Sequence, residues 1–166
     1  MTNLNLLIKS FLLLKRNKAL AFAAGLWVFP GGKIDQKDNN LRKMKEFVQS
    51  IKSEILVFPE LATSGYYFTD RNQLMGIADE FESTTIQQFQ KLSTELKKVI
   101  IFGFPERNDD KIYNSAAILI PDSKLSTVYR KTHLFYKERF VFDEGDTGFN
   151  VIEHNGLRLG TMICYD

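Results

Sequence analysis

The chain has 166 residues, 44% hydrophobic and 25% charged, a balance that suits one globular domain and excludes disordered, fibrous and low-complexity classes. Its 22 Lys and Arg against 20 Asp and Glu leave a formal charge of +2, so no global field holds a polyanion and nucleic acid is not expected as a partner. One cysteine, Cys164, and two histidines, His133 and His154, exclude an internal disulfide and a Cys/His zinc site, and point to a reducing, cytoplasmic setting.

Leu4 to Leu14 is apolar but broken by Lys9, and Ala19 to Phe29 is apolar but short; neither approaches the ~20 residues that span a bilayer, so no membrane partner is expected. Lys15, Arg16 and Lys18 ahead of Ala19–Ala24 imitate a signal peptide, but the long leader and the Pro30-Gly31-Gly32 ending fit poorly, and a helix or strand leading into a core strand is the preferred reading. Residues 38–53 carry Leu41, Met44, Phe47, Val48 and Ile51 at helical spacing. Glu54-Ile55-Leu56-Val57-Phe58-Pro59 then reads as a short buried strand ending at Glu60. The unit repeats: Ile86, Phe89, Leu92 and Leu96 mark a helix over 83–98, followed by a buried strand over 99–104. Strands are expected at 112–120 and 124–129, joined by Pro121-Asp122-Ser123, and a second hairpin at 151–153 and 157–163 around Asn155-Gly156. The sum is an α/β protein with a mixed sheet and no internal domain boundary.

Three residues at strand ends carry chemistry. Glu60 closes a buried strand, where partial burial raises a carboxyl pKa and makes a proton acceptor; by itself it is as well read as a surface glutamate. Lys131 follows a strand in Tyr129-Arg130-Lys131-Thr132-His133-Leu134, a place where basic pairs are usually solvated turns. Cys164 ends the last strand at a position suited to a tight elbow that presents a nucleophile, although a lone cysteine after an apolar run is often inert core.

The three motifs together, Phe58-Pro59-Glu60-Leu61, Tyr129 to Leu134, and Gly160-Thr161-Met162-Ile163-Cys164-Tyr165-Asp166, resemble the nitrilase superfamily of carbon-nitrogen hydrolases. The resemblance runs from roughly Ala19 to the end and includes Asn40-Leu41 and Tyr113-Asn114-Ser115-Ala116. It implies a mixed-sheet α-β-β-α sandwich truncated after the nucleophile strand, so that residues 1–166 form a partial domain with an atypical leader over 1–18. It further implies Glu60 as general base, Lys131 as cationic stabiliser and Cys164 as nucleophile. A second glutamate is expected shortly after the lysine, with Glu138 the choice and Glu144 the alternative, and Tyr165 is a supporting residue.

Those residue types suit attack on an amide or nitrile carbon. The base takes the thiol proton, the ammonium and the backbone N–H after Cys164 receive the oxyanion, and a thioester forms that water cleaves. No metal or organic cofactor is required, the partner is a small amide or nitrile, and amidase chemistry is favoured as asking for the least specialisation. His133 is read as a local hydrogen-bonding residue. Tyr66, Tyr67 and Phe68 are either pocket wall or packing. Family members continue past the cysteine motif, so the elbow is expected to be frayed, apolar surface to be uncovered, and the complete protein to be a homo-oligomer. The rival is a non-catalytic fragment. A remote alternative is a Nudix-like remnant over Gly25–Asp35, undermined by the lack of paired glutamates between Asn39 and Glu54.

Overall fold

The computed structural model describes residues 37–66, 68, 70–122, 124 and 126–166 in full, and the backbone of 5–9, 13–15 and 27–28. Tyr67, the Pro30-Gly31-Gly32 ending, the Ala19–Ala24 run and most of the Nudix-like stretch lie outside the described residues. In chain order the elements are β1 (Asn5–Lys9), β2 (Leu13–Lys15), β3 (Trp27–Val28), α1 (Lys37–Ser50), β4 (Ile55–Val57), α2 (Arg71–Met75), α3 (Thr84–Leu96), β5 (Val99–Asn108), β6 (Lys111–Leu119), β7 (Thr127–Arg130), a 3-10 turn (Tyr136–Phe140), β8 (Val151–His154) and β9 (Leu157–Met162).

A four-stranded mixed sheet in the order β4-β5-β6-β7 forms the centre, with β4 parallel to β5 and the remaining pairs antiparallel. The expected helical stripe is realised in α1, where Asn40, Met44 and Val48 are buried. In α3, Ile86 and Phe89 are buried and the Ser83 side chain caps the amino end by accepting from Ile86 N. The apolar stripes of both helices meet one sheet face through Leu56, Phe58, Ile100, Phe102, Phe104, Ala117 and Leu119. Because strand side chains alternate, Val99, Ile101, Ala116, Ile118 and Tyr129 point the other way, and they pack against Ile152, Leu157, Leu159 and Ile163 of the β8–β9 hairpin. That hairpin belongs to a second sheet of order β1-β9-β8. The described residues therefore stack helices, sheet and sheet, as the mixed α/β reading requires.

Two local expectations are corrected. Strand β5 does not stop at Phe104 but runs through Pro105 to Asn108, paired with β6 throughout. Odd-numbered residues of this stretch direct their backbone polar groups toward the β4 side: Gly103 N donates to Pro59 O and Arg107 N to Asp79 O. Pro105 thus lacks its N–H where β4 has already ended, and loses no ladder bond. The strand expected from Lys124 begins only at Thr127. Among the described residues no helix is long and apolar enough to cross a membrane.

Candidate active site

Strands β4, β5 and β7 point the same way, so the loops that follow β4 and β7 emerge at one end of the central sheet. Glu60 is carried there by the β4 loop, and a glycine makes this possible. A Cβ on Gly103 would lie 2.3 Å from Leu61 N and 2.7 Å from Glu60 Cα, so only glycine lets the loop close down on β5. Thr63 N donates to Gly103 O, and Asn40 of α1 donates through Nδ2 to Thr63 O at 3.3 Å. On the β7 side Gly145 serves the same end. Its N–H donates to Lys131 O, and a Cβ would meet Arg130 O at 2.1 Å.

These loops bring Glu60, Lys131 and Glu138 into direct contact. Lys131 is not the solvated turn residue that its basic neighbour suggests: its side chain has no solvent exposure. Nζ donates to Glu60 Oε1 at 2.7 Å and to both oxygens of Glu138 at 3.0 and 2.9 Å. Glu138, on the 3-10 turn, also accepts from Phe135 N at 2.7 Å and from the Tyr66 hydroxyl. Glu138 thus meets Lys131, whereas Glu144, the alternative, is exposed. Asn114 donates to Glu60 Oε1 at 2.7 Å. Asn114 lies in the Tyr113-Asn114-Ser115-Ala116 stretch, and nothing local in the sequence marks its amide as a partner of Glu60.

One ammonium serves two carboxylates, and this governs the proton. Burial pushes the Glu60 carboxyl above its ordinary 4.5, and the Glu138 charge adds to the rise, against the lowering by Lys131 and Asn114. Burial also opposes the Lys131 charge, but the two carboxylates together outweigh it and hold the amine above its usual range. Cys164 follows β9 at an exposed position, with φ of 47°. Burial of the thiol, then the charge of Glu60 and a hydrogen bond to it, raise its pKa, and Lys131 acts in the opposite direction. The resting sulfur is a thiol facing a carboxylate of elevated basicity.

Tyr165, expected as a supporting residue, sends its exposed ring to Phe135 at 5.2 Å between centroids and does not join the polar cluster. His133 does take the local role expected of it: its N–H and Nδ1 both meet Asp166 Oδ1, at 2.8 and 3.1 Å. The buried Asp166 carboxylate also accepts from Ile163 N at 3.1 Å, across Cys164. Tyr66 and Phe68 both wall a cavity of about 640 Å³. The other walls are Phe135, Tyr136, Lys137, Phe140, Val141 and Phe142, with Glu138 at its polar margin.

A sequence profile for carbon-nitrogen hydrolases matches residues 27–166. The chain belongs to the carbon-nitrogen hydrolase family. It is similar to a nitrilase of Pyrococcus abyssi, with 33% identity over 137 residues, covering 80% of this chain and 52% of that protein. It is also similar to the N-carbamoylputrescine amidase of Arabidopsis thaliana, at 36% identity over 121 residues, covering 69% of this chain and 40% of the relative. Among solved structures, a CN-hydrolase superfamily protein from Xanthomonas campestris shares the fold with a TM-score of 0.71 at 20% identity, over 84% of this chain and 52% of that one. This chain thus spans about half the length of the curated relatives it matches.

Proposed function

We propose that Glu60, Lys131 and Cys164 form the working site of an amide-cleaving hydrolase that passes through a thioester on Cys164. The observation that carries this reading is the single buried ammonium held between Glu60 and Glu138 beside an exposed thiol. As Sγ bonds the carbonyl carbon, Glu60 takes the thiol proton, which its raised pKa favours. The oxyanion is met by Lys131 Nζ and by the backbone N–H of Tyr165. Collapse breaks the C–N bond, with the proton returning from Glu60 to the leaving amine. Water, deprotonated by Glu60, then attacks the thioester, and the departing thiolate regains the proton. Glu138 keeps Lys131 charged and in place; no organic cofactor takes part in these steps.

The cavity, lined mainly by aromatic rings with Lys137 among them, favours an amide whose unreactive portion is apolar and carries no cation. Its carboxylate, Glu138, is already engaged by Lys131, Tyr66 and Phe135 N, so a cationic tail finds no free counter-charge there. The test is intact-mass detection of an acyl adduct on incubation with an arylalkyl amide and with an aminoalkyl amide. The reading expects an adduct of the arylalkyl acyl group that disappears in Cys164→Ala and fails to form in Glu60→Gln. Absence of any adduct, with no amine released, would favour the non-catalytic fragment. We further propose that the complete protein is a homo-oligomer acting in the cytoplasm.

A further inference from the structure

Lys131 is flanked two residues away on either side by Tyr129 and His133, and Cys164 is bracketed by Ile163 and Asp166. Tyr129, His133 and Ile163 all meet at the carboxylate of Asp166. Asp166 Oδ2 accepts from the Tyr129 hydroxyl at 2.7 Å and from Ile163 N at 3.1 Å, and Oδ1 from His133 N at 2.8 Å and His133 Nδ1 at 3.1 Å. The Asp166 N–H returns to Ile163 O at 3.1 Å, closing the turn around Cys164. The side chain is fully buried while His133 remains 58% exposed. A buried carboxylate surrounded by four donors is a rigid junction, since each bond is charge-assisted and none is easily replaced by water.

The junction sits at a left-handed turn of the backbone. Cys164 has a left-handed φ of 47° without being glycine, a conformation that persists only where its surroundings over-determine it. Bonds to the residues on both sides of the cysteine do this, and the same carboxylate ties that elbow to the strand end carrying Lys131. We propose that Asp166 is a positioning residue that holds the Cys164 elbow in register with the Lys131 loop, and so fixes the thiol against Glu60 and the ammonium. This rests on the functional reading in one respect, that Cys164 is the working nucleophile. Aspartate suits the task because both oxygens accept: asparagine would offer one acceptor and turn two donors against the ring of donors around it.

Cys164 is the only cysteine, so alkylation by iodoacetamide reports on it alone and needs no turnover. In the unaltered chain Glu60→Gln should move the pH profile of alkylation downward, because Glu60 raises the thiol pKa. In an Asp166→Asn background that shift should shrink to less than a third, as the elbow leaves Glu60. Equal shifts in the two backgrounds overturn the positioning role, even if Asp166→Asn melts earlier, since a merely structural residue would lower the melting temperature and leave the coupling to Glu60 intact. Should Asp166→Asn fail to fold, Tyr129→Phe carries the test: it removes one donor and keeps the ring, and an unchanged Glu60-dependence in that background overturns the proposal. If Glu60→Gln has no effect on alkylation in the unaltered chain, the functional reading itself fails, and the positioning role with it.

Discussion

Consecutive residues Arg130 and Lys131 each hold a buried ion cluster, on opposite faces of the same sheet, and only one of the clusters is arranged for chemistry. Arg130 grips Glu106 through Nε and a terminal nitrogen at 2.9 and 2.7 Å, reaches Asp146 at 2.8 Å, and lies over the Tyr113 ring. Glu106 is further satisfied by the Ser115 hydroxyl at 2.6 Å. A guanidinium does not give up its proton, and here its pKa is raised further by the hydrogen bond to Glu106. Lys131 likewise serves two carboxylates, but with a compact ammonium, and leaves Glu60 raised and adjacent to a thiol. Burial and ion pairing are common to both clusters. What differs is the setting of the carboxylates: Glu60 is raised and lies beside the single cysteine, whereas Asp146 is lowered and has no thiol beside it.

The largest effects should fall on the lysine face. Cys164→Ala should abolish amide turnover, and Glu60→Gln should lower it by on the order of a thousandfold while leaving the fold intact, as read by product release and circular dichroism. Turnover persisting in the alanine variant would remove the covalent route.

Next comes the direct contrast. Lys131→Met and Arg130→Met should each destabilise the fold by about 3–5 kcal/mol, because each leaves buried carboxylate uncompensated. Only Lys131→Met should also cost about 3 kcal/mol of transition-state stabilisation and raise the thiol pKa, since Lys131 alone of the two acts on Cys164. Urea unfolding together with Cys164 alkylation separates the two; an alkylation profile displaced equally by both substitutions would erase the distinction between the faces.

Gly103→Ala gives a smaller change on the same side. Its Cβ meets backbone rather than a flexible side chain, so the Glu60 loop must shift, and a loss of about 1–3 kcal/mol in stability should accompany slower turnover. Full activity with unchanged stability would show that the loop does not need this close approach.

The smallest effects concern pH, and the two faces should respond with opposite sign. The folded pKa of Glu60 is raised, so its contribution to stability is complete below 4.5 and is lost as pH rises through the folded value. Asp146 is lowered, chiefly by its hydrogen bond from Arg130, so its contribution is present above 3.8 and is lost as pH falls through the folded value. Asn114→Ala removes a donor that lowers Glu60, and should therefore move the acid limb of turnover upward by a fraction of a unit. A pH–rate profile with an unmoved acid limb would mean that Glu60 does not set it.

Much of the lysine face was legible in sequence because its parts sit at strand ends, where an apolar run stops at a residue of fixed chemistry. Glu60, Lys131 and Cys164 could each be placed at the end of a strand from local pattern, but only the resemblance of their motifs to the carbon-nitrogen hydrolases joined them into one expected site. Asn114 and Asp166 stood inside quoted motifs without roles, since hydrogen bonds spanning 54 and 37 residues leave no local periodicity. Tyr165 enters the proposed mechanism only through its backbone N–H, and its ring goes to Phe135. Sequence by itself determined the helix stripes of α1 and α3, the buried runs of β4 and β5, and the identities of the reactive groups, because these depend on nearest-neighbour spacing and side-chain chemistry. Tertiary structure decided which cation serves which carboxylate, that Pro105 could remain inside a strand, and that Gly103 and Gly145 press two loops onto one end of the sheet. Those outcomes depend on alternation across paired strands and on contacts between distant segments, which no short stretch of sequence encodes.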